Sequence, residues 1–403
     1  LKIDKKIKNS IIQSTDEILK GQHDRQFVVD IFQTGSGTST NMNMNEVIAN
    51  RSSEIIDGSL VSKIKSVHPN DHVNMGQSSN DVIPSAIQIA SKKLILTHLI
   101  PSLEKLLIEL KKKTKQFDKI IKIGRTHLQD ATPITMGQEF SGYEAMVSSS
   151  IKRLKNVLKN SSYLALGGTA VGTGINTHPD FGKLMAIEIS QLLNIKFLES
   201  NNHFETQSTQ DVSVEISSTL KTIAISMHKI ANDIRWLGSG PRSGLGELII
   251  PSVQPGSSIM PGKVNPVICE SMIQVCAQVI GNDTTINIGG LGSVFELNLM
   301  LPLIGYNLIE SLNILGNGIN VFTEKLVKDL KVNEKMCKQH ANNSLALCTI
   351  LVPEIGYDKA AEIAYQAYNK NKTIRQILIE NKMFTSKQLD KILNPASMTK
   401  PKK

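Results

Sequence analysis

The chain has 403 residues, of which 40% are hydrophobic but only 4% aromatic, and 45 Lys and Arg residues against 36 Asp and Glu residues give it a net charge of +9. This length can bury large cores, and the scarcity of aromatic side chains makes those cores aliphatic. The lysines lie in helical runs without interleaved aromatics, which is typical of solvated helix faces and disfavours nucleic-acid binding, although such a surface also attracts acidic small molecules. No apolar run is long enough to span a membrane and no signal peptide is visible, so we expect no membrane partner.

The N-terminal region, residues 1–30, has apolar residues at helical spacing, with Gly21 near the end of the pattern. The chain begins at Leu1 rather than Met, inside that amphipathic pattern. We therefore expect residues upstream to be missing and the N-terminal domain to be truncated.

Two polar stretches follow. Residues 33–46 carry many small hydroxyl and amide side chains before a helix predicted over 47–56, a composition equally consistent with an ordinary loop. Residues 65–81 contain His68, Asp71 and His72, which could ligate a metal. Pro69 breaks the regular helix that such an i, i+4 histidine pair would need, and the other ligand spacings are absent, so no metal site is predicted.

Long helices come next. The first is predicted from Val82 to about Phe117, with Pro84 in its first turn and Pro101 as the place where it would bend. Further helices are predicted over 136–164, 266–288 and 296–330, and Pro302 predicts a kink in the last of them. Between 212 and 237 apolar residues step by four and three, which predicts the seam of a helix bundle.

Two segments interrupt these helices. Residues 124–133 include a lone histidine, His127, and a single histidine in a loop is more often structural than catalytic. Residues 166–174 are rich in glycine but lack the spacing of a dinucleotide-binding turn, so we predict an extended connection between helices.

The densest cluster of polar groups lies in the loop Gly256–Pro266. It holds two serines, Lys263 and Asn265 around a Pro261-Gly262 pair that favours a type II turn. Asn265 is a good N-cap, with Pro266 in the first turn of the next helix. Loop amides and a helix N-terminus both attract negative charge, which predicts an anion site.

This loop has two other interpretations. A nucleotide phosphate loop is disfavoured because five residues separate its glycines, Val264 stands where Ser or Thr is needed, and no buried strand precedes it. The alternative that stays open is structural, with Asn265 only capping the helix and Lys263 a solvated surface charge.

Beyond about Val332 the helices shorten, which predicts a small C-terminal helical domain. The sequence thus predicts an all-α protein with domains 1–77, 78–332 and 333–403. Helices with apolar stripes on more than one face must pack against further copies, so an oligomer is expected. Four cysteines without metal-type spacing predict reduced thiols in a reducing compartment, and they are Cys269, Cys276, Cys337 and Cys348.

Residues 256–266 resemble the signature loop of the fumarase/aspartase superfamily, and residues 33–46 and 124–133 resemble two further signatures. Gly262 and the pair Thr126-His127 resemble the residues of class II fumarases at the matching positions, where aspartases usually have Ala and Thr-Gln. The resemblance covers nearly the whole chain and implies a long-helix bundle forming a tetrameric helical core. It also implies active sites that are each assembled from three subunits.

The resemblance implies roles for individual residues. Ser257 would be the base for the C–H proton, His127 the acid–base group on water or hydroxyl, Glu270 its orienting partner, and Lys263 the stabiliser of negative charge. The implied substrate-binding residues are Ser36, Gly37, Thr38, Asn41, Ser78, Ser79, Asn80, Thr126, Ser258, Lys263, Val264 and Asn265. The implied accessory anion site consists of Lys65, His68, Pro69, Asn70 and Asp71.

The implied activity is the reversible hydration of fumarate to (S)-malate, a step of the tricarboxylic acid cycle, through an aci-carboxylate intermediate. Neither a metal nor an organic cofactor is implied. The expected partners are fumarate, (S)-malate and further copies of the chain, and the expected location is the cytoplasm, with the mitochondrial matrix as the alternative. Two alternatives share the fold: an aspartate ammonia-lyase and a non-catalytic scaffold protein.

Overall fold

A computed structural model describes residues 3–59 and 65–401. Helices dominate it, which confirms the all-α prediction, and none of the helices in these residues is long and apolar enough to cross a membrane. The α-helices in chain order are α1 (Lys5–Leu19), α2 (Thr38–Asp57), α3 (Ser79–Leu94), α4 (Ile100–Gln116), α5 (Met136–Val157), α6 (Phe181–Leu193), α7 (His203–Ser208), α8 (Asp211–Leu237), α9 (Val267–Gly290), α10 (Leu301–Lys325), α11 (Glu334–Asn343), α12 (Val352–Ile355), α13 (Tyr357–Asn369), α14 (Ile374–Glu380) and α15 (Ser386–Ile392).

Short two-stranded pairs join some of these helices. The longest is an antiparallel hairpin of β1 (Ile121–Thr126) and β2 (Gln129–Thr135), so residues 124–133 belong to a hairpin rather than to the irregular loop that the sequence suggested. The other pairs are β3 (Tyr163–Leu164) with β4 (Leu198–Glu199), β5 (Leu248–Ile249) with β8 (Lys331–Val332), and β6 (Ser293–Val294) with β7 (Leu297–Asn298).

The chain divides into two compact units. Unit 1 comprises Leu1–Pro101, Lys152–Ala224 and Ala277–Gly316, and unit 2 comprises Ser102–Ile151, Ile225–Cys276 and Asn317–Lys403. Unit 1 contains a cluster of buried side chains formed by Leu164, Leu166 and Phe197. Unit 2 contains an aliphatic cluster built from the C-terminal helices, with Leu351, Ile363, Ile377, Leu378 and Leu389 at its centre. The three-part division at 1–77, 78–332 and 333–403 stays a prediction.

Helix α8 carries the predicted seam. Its apolar residues recur every three or four positions and so share one face of the helix. Val212 is only partly buried. The remaining seam residues are buried, which confirms the prediction, and they are Ile216, Leu220, Ile223, Met227, Ile230, Ile234 and Leu237.

Helix boundaries near the N-terminus differ from the prediction. The predicted start of the first helix at Leu1 lies outside the described residues, and α1 begins at Lys5 behind the N-cap Asp4. Helix α3 begins at Ser79, three residues before the predicted start, because Ser78 and Asp81 form a reciprocal capping box. Pro84 therefore lies in the second turn of α3.

Two further prolines have different effects. Residues Ile95–Leu99 form a π turn that ends two residues before Pro101, and the missing N–H of Pro101 cannot complete the regular hydrogen-bond pattern. The irregularity thus lies next to the proline where a bend was predicted. Helix α10 begins at Leu301, so Pro302 lies in the first turn, where its missing N–H breaks no hydrogen bond. The kink predicted there has no structural cause.

Candidate active site

The loop Gly256–Pro266, in unit 2, contains the predicted type II turn. Gly262 has φ 78° and the Lys263 N–H donates to the Met260 carbonyl at 3.3 Å, which confirms a turn centred on Pro261-Gly262. A Cβ added at Gly262 would meet nothing within 4 Å. Glycine is therefore required here by the left-handed backbone rather than by lack of space.

The two ends of this loop are joined to each other. The Asn265 side-chain amide donates to the Gly256 carbonyl at 2.6 Å, and a Cβ at Gly256 would lie 2.0 Å from the Lys263 carbonyl oxygen. Helix α9 begins only at Val267, and the Glu270 N–H donates to the Pro266 carbonyl. The prediction that Asn265 caps this helix is therefore wrong, because its side chain closes the loop instead.

Ser257 lies at a point where loop amides converge. Its Oγ accepts hydrogen bonds from the backbone N–H groups of Ile259 at 3.2 Å and Met260 at 3.1 Å. Two N–H donors directed at one oxygen favour negative charge on that oxygen. The Ser257 hydroxyl thus lies in surroundings that would stabilise its alkoxide.

A cavity of about 610 Å³ in unit 2 brings several predicted site residues together. Lys263, Val264, Asn265 and Glu270 all line it. Arg235 also lines this cavity and was not predicted from the sequence. It lies at the C-terminal end of α8, where the helix dipole ordinarily explains a cation. The sequence around Arg235 therefore gave no indication of a functional site.

Thr126 and His127 lie at the tip of the β1–β2 hairpin. Thr126 pairs with Gln129, which leaves His127 and Leu128 as a two-residue turn with φ 56° and φ 60°. The residues of this tip are exposed, and Leu128 is 70% exposed. Within residues 3–59 and 65–401 no side chain hydrogen-bonds to the His127 ring, and neither Thr126 nor His127 lines the 610 Å³ cavity.

The hairpin is held just behind its tip by a buried carboxylate that was also not predicted from the sequence. Arg125 donates to both oxygens of Glu247, at 2.7 and 3.0 Å, and Glu247 is fully buried. The His340 Nδ1 lies 2.9 Å from the same carboxylate and the Lys122 Nζ lies 3.6 Å from it. Burial opposes ionisation, but the hydrogen bond from Arg125 and the charge of Lys122 outweigh it and hold the pKa of Glu247 below its usual value.

Unit 1 contains a second group of predicted site residues. The Ser36, Thr38 and Ser79 hydroxyls form a chain with 2.7 Å between neighbouring oxygens. Gly37, with φ 72°, occupies the N-cap position of α2 and turns the backbone between Ser36 and Thr38. A cavity of about 320 Å³ adjoins this chain and is lined by Thr38, Asn41, Asn70, Ser78 and Ser79, among other residues.

Asp81, directly after Ser78-Ser79-Asn80, is a buried anchor of unit 1. Its carboxylate accepts hydrogen bonds from the backbone N–H groups of Ser78 at 2.9 Å, and of Gly167 and Thr169 at 3.0 Å each. Burial raises the pKa of Asp81, since its partners carry no charge. The Ser-x-x-Asp pattern at 78–81 is the sequence signal that would have identified this residue.

The predicted accessory residues form a compact turn in unit 1. The His68 Nδ1 accepts hydrogen bonds from the backbone N–H groups of Asn70 at 3.3 Å and Asp71 at 3.2 Å, and Pro69 is the first residue of the π turn that follows. The Lys65 ammonium is hydrogen-bonded to the Asn50 side chain on α2. Of the accessory residues, Asn70 lines the 320 Å³ cavity.

Comparison with known proteins gives consistent matches. A lyase family matches residues 1–281 and the fumarase C C-terminal family matches residues 347–400. A class II fumarate hydratase from Nitrosomonas europaea is 49% identical over 397 residues, covering 98% of this chain and 86% of the relative. A mitochondrial fumarate hydratase from Schizosaccharomyces pombe is 49% identical over 401 residues, covering 100% and 77%. The crystal structure of a class II fumarase from Schistosoma mansoni matches with a TM-score of 0.94 at 39% identity, covering 98% of this chain and 86% of that one.

Proposed function

The chain belongs to the class II fumarate hydratase family of lyases, and from that premise we propose that it hydrates fumarate reversibly to (S)-malate using the site residues of the two units. The observation that carries these residue roles is the pair of backbone N–H groups that donate to the Ser257 oxygen. A serine hydroxyl is a weak base, and those donors supply the stabilisation that its alkoxide needs.

In the direction from malate, the Ser257 alkoxide takes the proton from the carbon beside one carboxylate. The electron pair left behind moves into that carboxylate and makes a dianionic aci-carboxylate, so the dominant requirement is stabilisation of negative charge. Lys263 and Asn265 line one cavity, and their ammonium and amide groups can stabilise this negative charge. The C–O bond to the hydroxyl then breaks, His127 gives the hydroxyl a proton, and water and fumarate are released. Glu270 would orient the His127 ring.

The substrate carboxylates need several donors. We propose Ser36, Gly37, Thr38, Asn41, Ser78, Ser79 and Asn80 from unit 1, and Thr126, Ser258, Lys263, Val264 and Asn265 from unit 2. The 320 Å³ cavity supports the unit 1 set, because Thr38, Asn41, Ser78 and Ser79 line it together. We also propose the accessory anion site at Lys65, His68, Pro69, Asn70 and Asp71.

We propose that the protein is a homotetramer whose active sites are each built from three subunits. Large apolar side chains on the surface of unit 1 support association, since Leu291 is 83% exposed and Phe295 is 88% exposed. We further propose a reducing location, the cytoplasm or alternatively the mitochondrial matrix. The free thiols of Cys269, Cys276 and Cys337, all buried, fit such a location.

The roles are tested with Lys263→Met and His127→Asn in steady-state kinetics on malate and on aspartate, following fumarate release. We expect kcat on malate to fall by about 10²-fold or more in each variant while the circular dichroism spectrum is retained. Lys328→Met is the matched control, because Lys328 is exposed and, among the described residues, its ion pair is with the nearby Glu324 at 3.3 Å. Unchanged kcat in the site variants would refute the residue roles, and faster fumarate release from aspartate by the unmodified protein would favour an ammonia-lyase.

A further inference from the structure

The hairpin tip that carries His127 has few contacts of its own. His127 and Leu128 form a two-residue turn in the left-handed region, and Thr126 to Asp130 are exposed. In the described part of the chain no side chain hydrogen-bonds to the His127 ring. Within one chain, the position of the tip is therefore set by the strand residues directly behind it.

The strand directly behind the tip is held by one planar ionic contact. Arg125, two residues before His127, directs both terminal nitrogens of its guanidinium at the two oxygens of Glu247. A bidentate pair of this kind fixes orientation as well as distance, because two parallel hydrogen bonds prevent rotation about either one. Strand β1 therefore cannot turn about its own axis without breaking at least one bond to Glu247.

Glu247 is itself held from several directions. Its side chain is 0% exposed, and it also contacts His340 on α11 at 2.9 Å. Lys122, on the same strand as Arg125 and 1% exposed, lies 3.6 Å from Glu247 and 3.1 Å from Glu139 on α5. Glu247 is thus a rigid point to which strand β1 is attached from within the core of unit 2.

We propose that Glu247 is a positioning residue for the hydration reaction, which acts through Arg125 to hold the hairpin tip. It fixes the place of the His127 backbone, whereas Glu270 orients the His127 ring. The inference rests on the proposed function, since it requires His127 to be the acid–base group. Glu247 does not touch the substrate in this scheme. Its effect is on the geometry of proton transfer, in which a displacement of about 1 Å can cost about 10²-fold in rate.

The test is a double-mutant cycle between Glu247→Gln and His127→Asn, with kcat and KM measured per folded chain. We expect Glu247→Gln to lower kcat by about 10- to 100-fold with KM changed much less, because Thr126 is the one proposed carboxylate donor that lies in the hairpin and the others are unaltered. In the His127→Asn background the same change should lower kcat no further, since the group it positions has been removed.

Arg125→Lys is a second, independent test of the positioning role. It keeps the positive charge beside Glu247 but loses the bidentate geometry, so it should lower kcat in the same way and should again have no effect in the His127→Asn background. If Glu247→Gln does not fold, this second cycle decides the question. Glu139→Gln is the matched control, because it makes the same chemical change in the same cluster without touching Arg125, and we expect its kcat to be unchanged.

The outcomes separate the two proposals. A loss of kcat by the same factor in both backgrounds, or an unchanged kcat per folded chain with only lower stability, would overturn the positioning role and leave the proposed function intact. A His127→Asn enzyme with full activity would instead overturn the role of His127 in the proposed function. A loss in Glu139→Gln as large as in Glu247→Gln would show a general effect of the cluster and would also overturn the inference.

Discussion

In each unit a buried carboxylate holds a stretch of proposed site residues, and these two carboxylates have different kinds of partner. Asp81 in unit 1 accepts three backbone N–H groups, which are neutral. Glu247 in unit 2 faces a guanidinium, an imidazole and an ammonium. Both side chains are 0% exposed. Equal burial therefore does not lead to equal electrostatics.

The pKa directions show the consequence. Burial raises the pKa of Asp81, and its three hydrogen bonds offset this only in part. Burial also opposes the charge on Glu247, but Arg125 and Lys122 outweigh it and lower the pKa. Partner charge, rather than depth, decides whether a buried carboxylate favours its ionised form. Hydrogen bonds from uncharged backbone N–H groups hold residues 78–81, whereas ionic contacts hold the β1–β2 hairpin.

The largest expected effect is that of Glu247→Gln on the free energy of unfolding. The substitution leaves the buried Lys122 and the partly buried Arg125 without their shared counter-charge, and removing one member of a buried ion pair typically costs about 3–5 kcal/mol. Urea unfolding at neutral pH measures the loss. Asp130→Asn is the matched control, because Asp130 lies opposite Arg125 on β2 but is exposed, and we expect it to cost less than about 0.5 kcal/mol. Similar losses in the two variants would mean that burial adds nothing to the ionic contact.

Asp81→Asn should be the milder of the two core substitutions. The amide keeps one oxygen toward the N–H groups of Gly167 and Thr169 but turns its NH₂ toward the Ser78 N–H. One buried donor is then unsatisfied, at a cost of about 1–3 kcal/mol. The same urea unfolding experiment gives the value. A larger loss of stability than in Glu247→Gln would show that the carboxylate with neutral partners contributes more than the one with ionic partners.

The sequence predicted those features that depend on neighbouring residues. The type II turn at Pro261-Gly262 follows from the backbone preferences of two adjacent residues, and the seam of α8 follows from spacing within one helix. The N-cap prediction for Asn265 failed although it was local. Its amide instead satisfies the Gly256 carbonyl, nine residues away, and closure of the loop prevailed over helix capping.

The anchors could be found from the sequence only where part of their contacts is local. The capping box of Asp81 was visible in the Ser-x-x-Asp pattern, while its other partners lie 86 and 88 residues away. Glu247 meets Arg125 and His340 from 122 and 93 residues away, and it stands in a short segment between helices with no periodic pattern. No local rule could pair these residues. The hairpin that carries His127 was missed for a related reason, since Pro133 within β2 argues against a strand from sequence.

The smallest expected effect is on the pH dependence of stability in Glu247→Gln and Asp81→Asn. The stability loss of these two variants should change in opposite directions with pH. The pKa of Glu247 is lowered by folding, so its stabilising contribution is complete above the usual Glu range and is lost as the pH falls through that range toward the lowered value. The pKa of Asp81 is raised by folding, so its contribution is greatest below the usual Asp range and is lost as the pH rises through the raised value. On acidification from about pH 7 to about pH 4, the stability gap between wild type and Glu247→Gln should therefore narrow, while the gap to Asp81→Asn should widen. Unfolding free energies measured across that range test both signs at once, and gaps that move in the same direction would show that burial alone governs the two carboxylates.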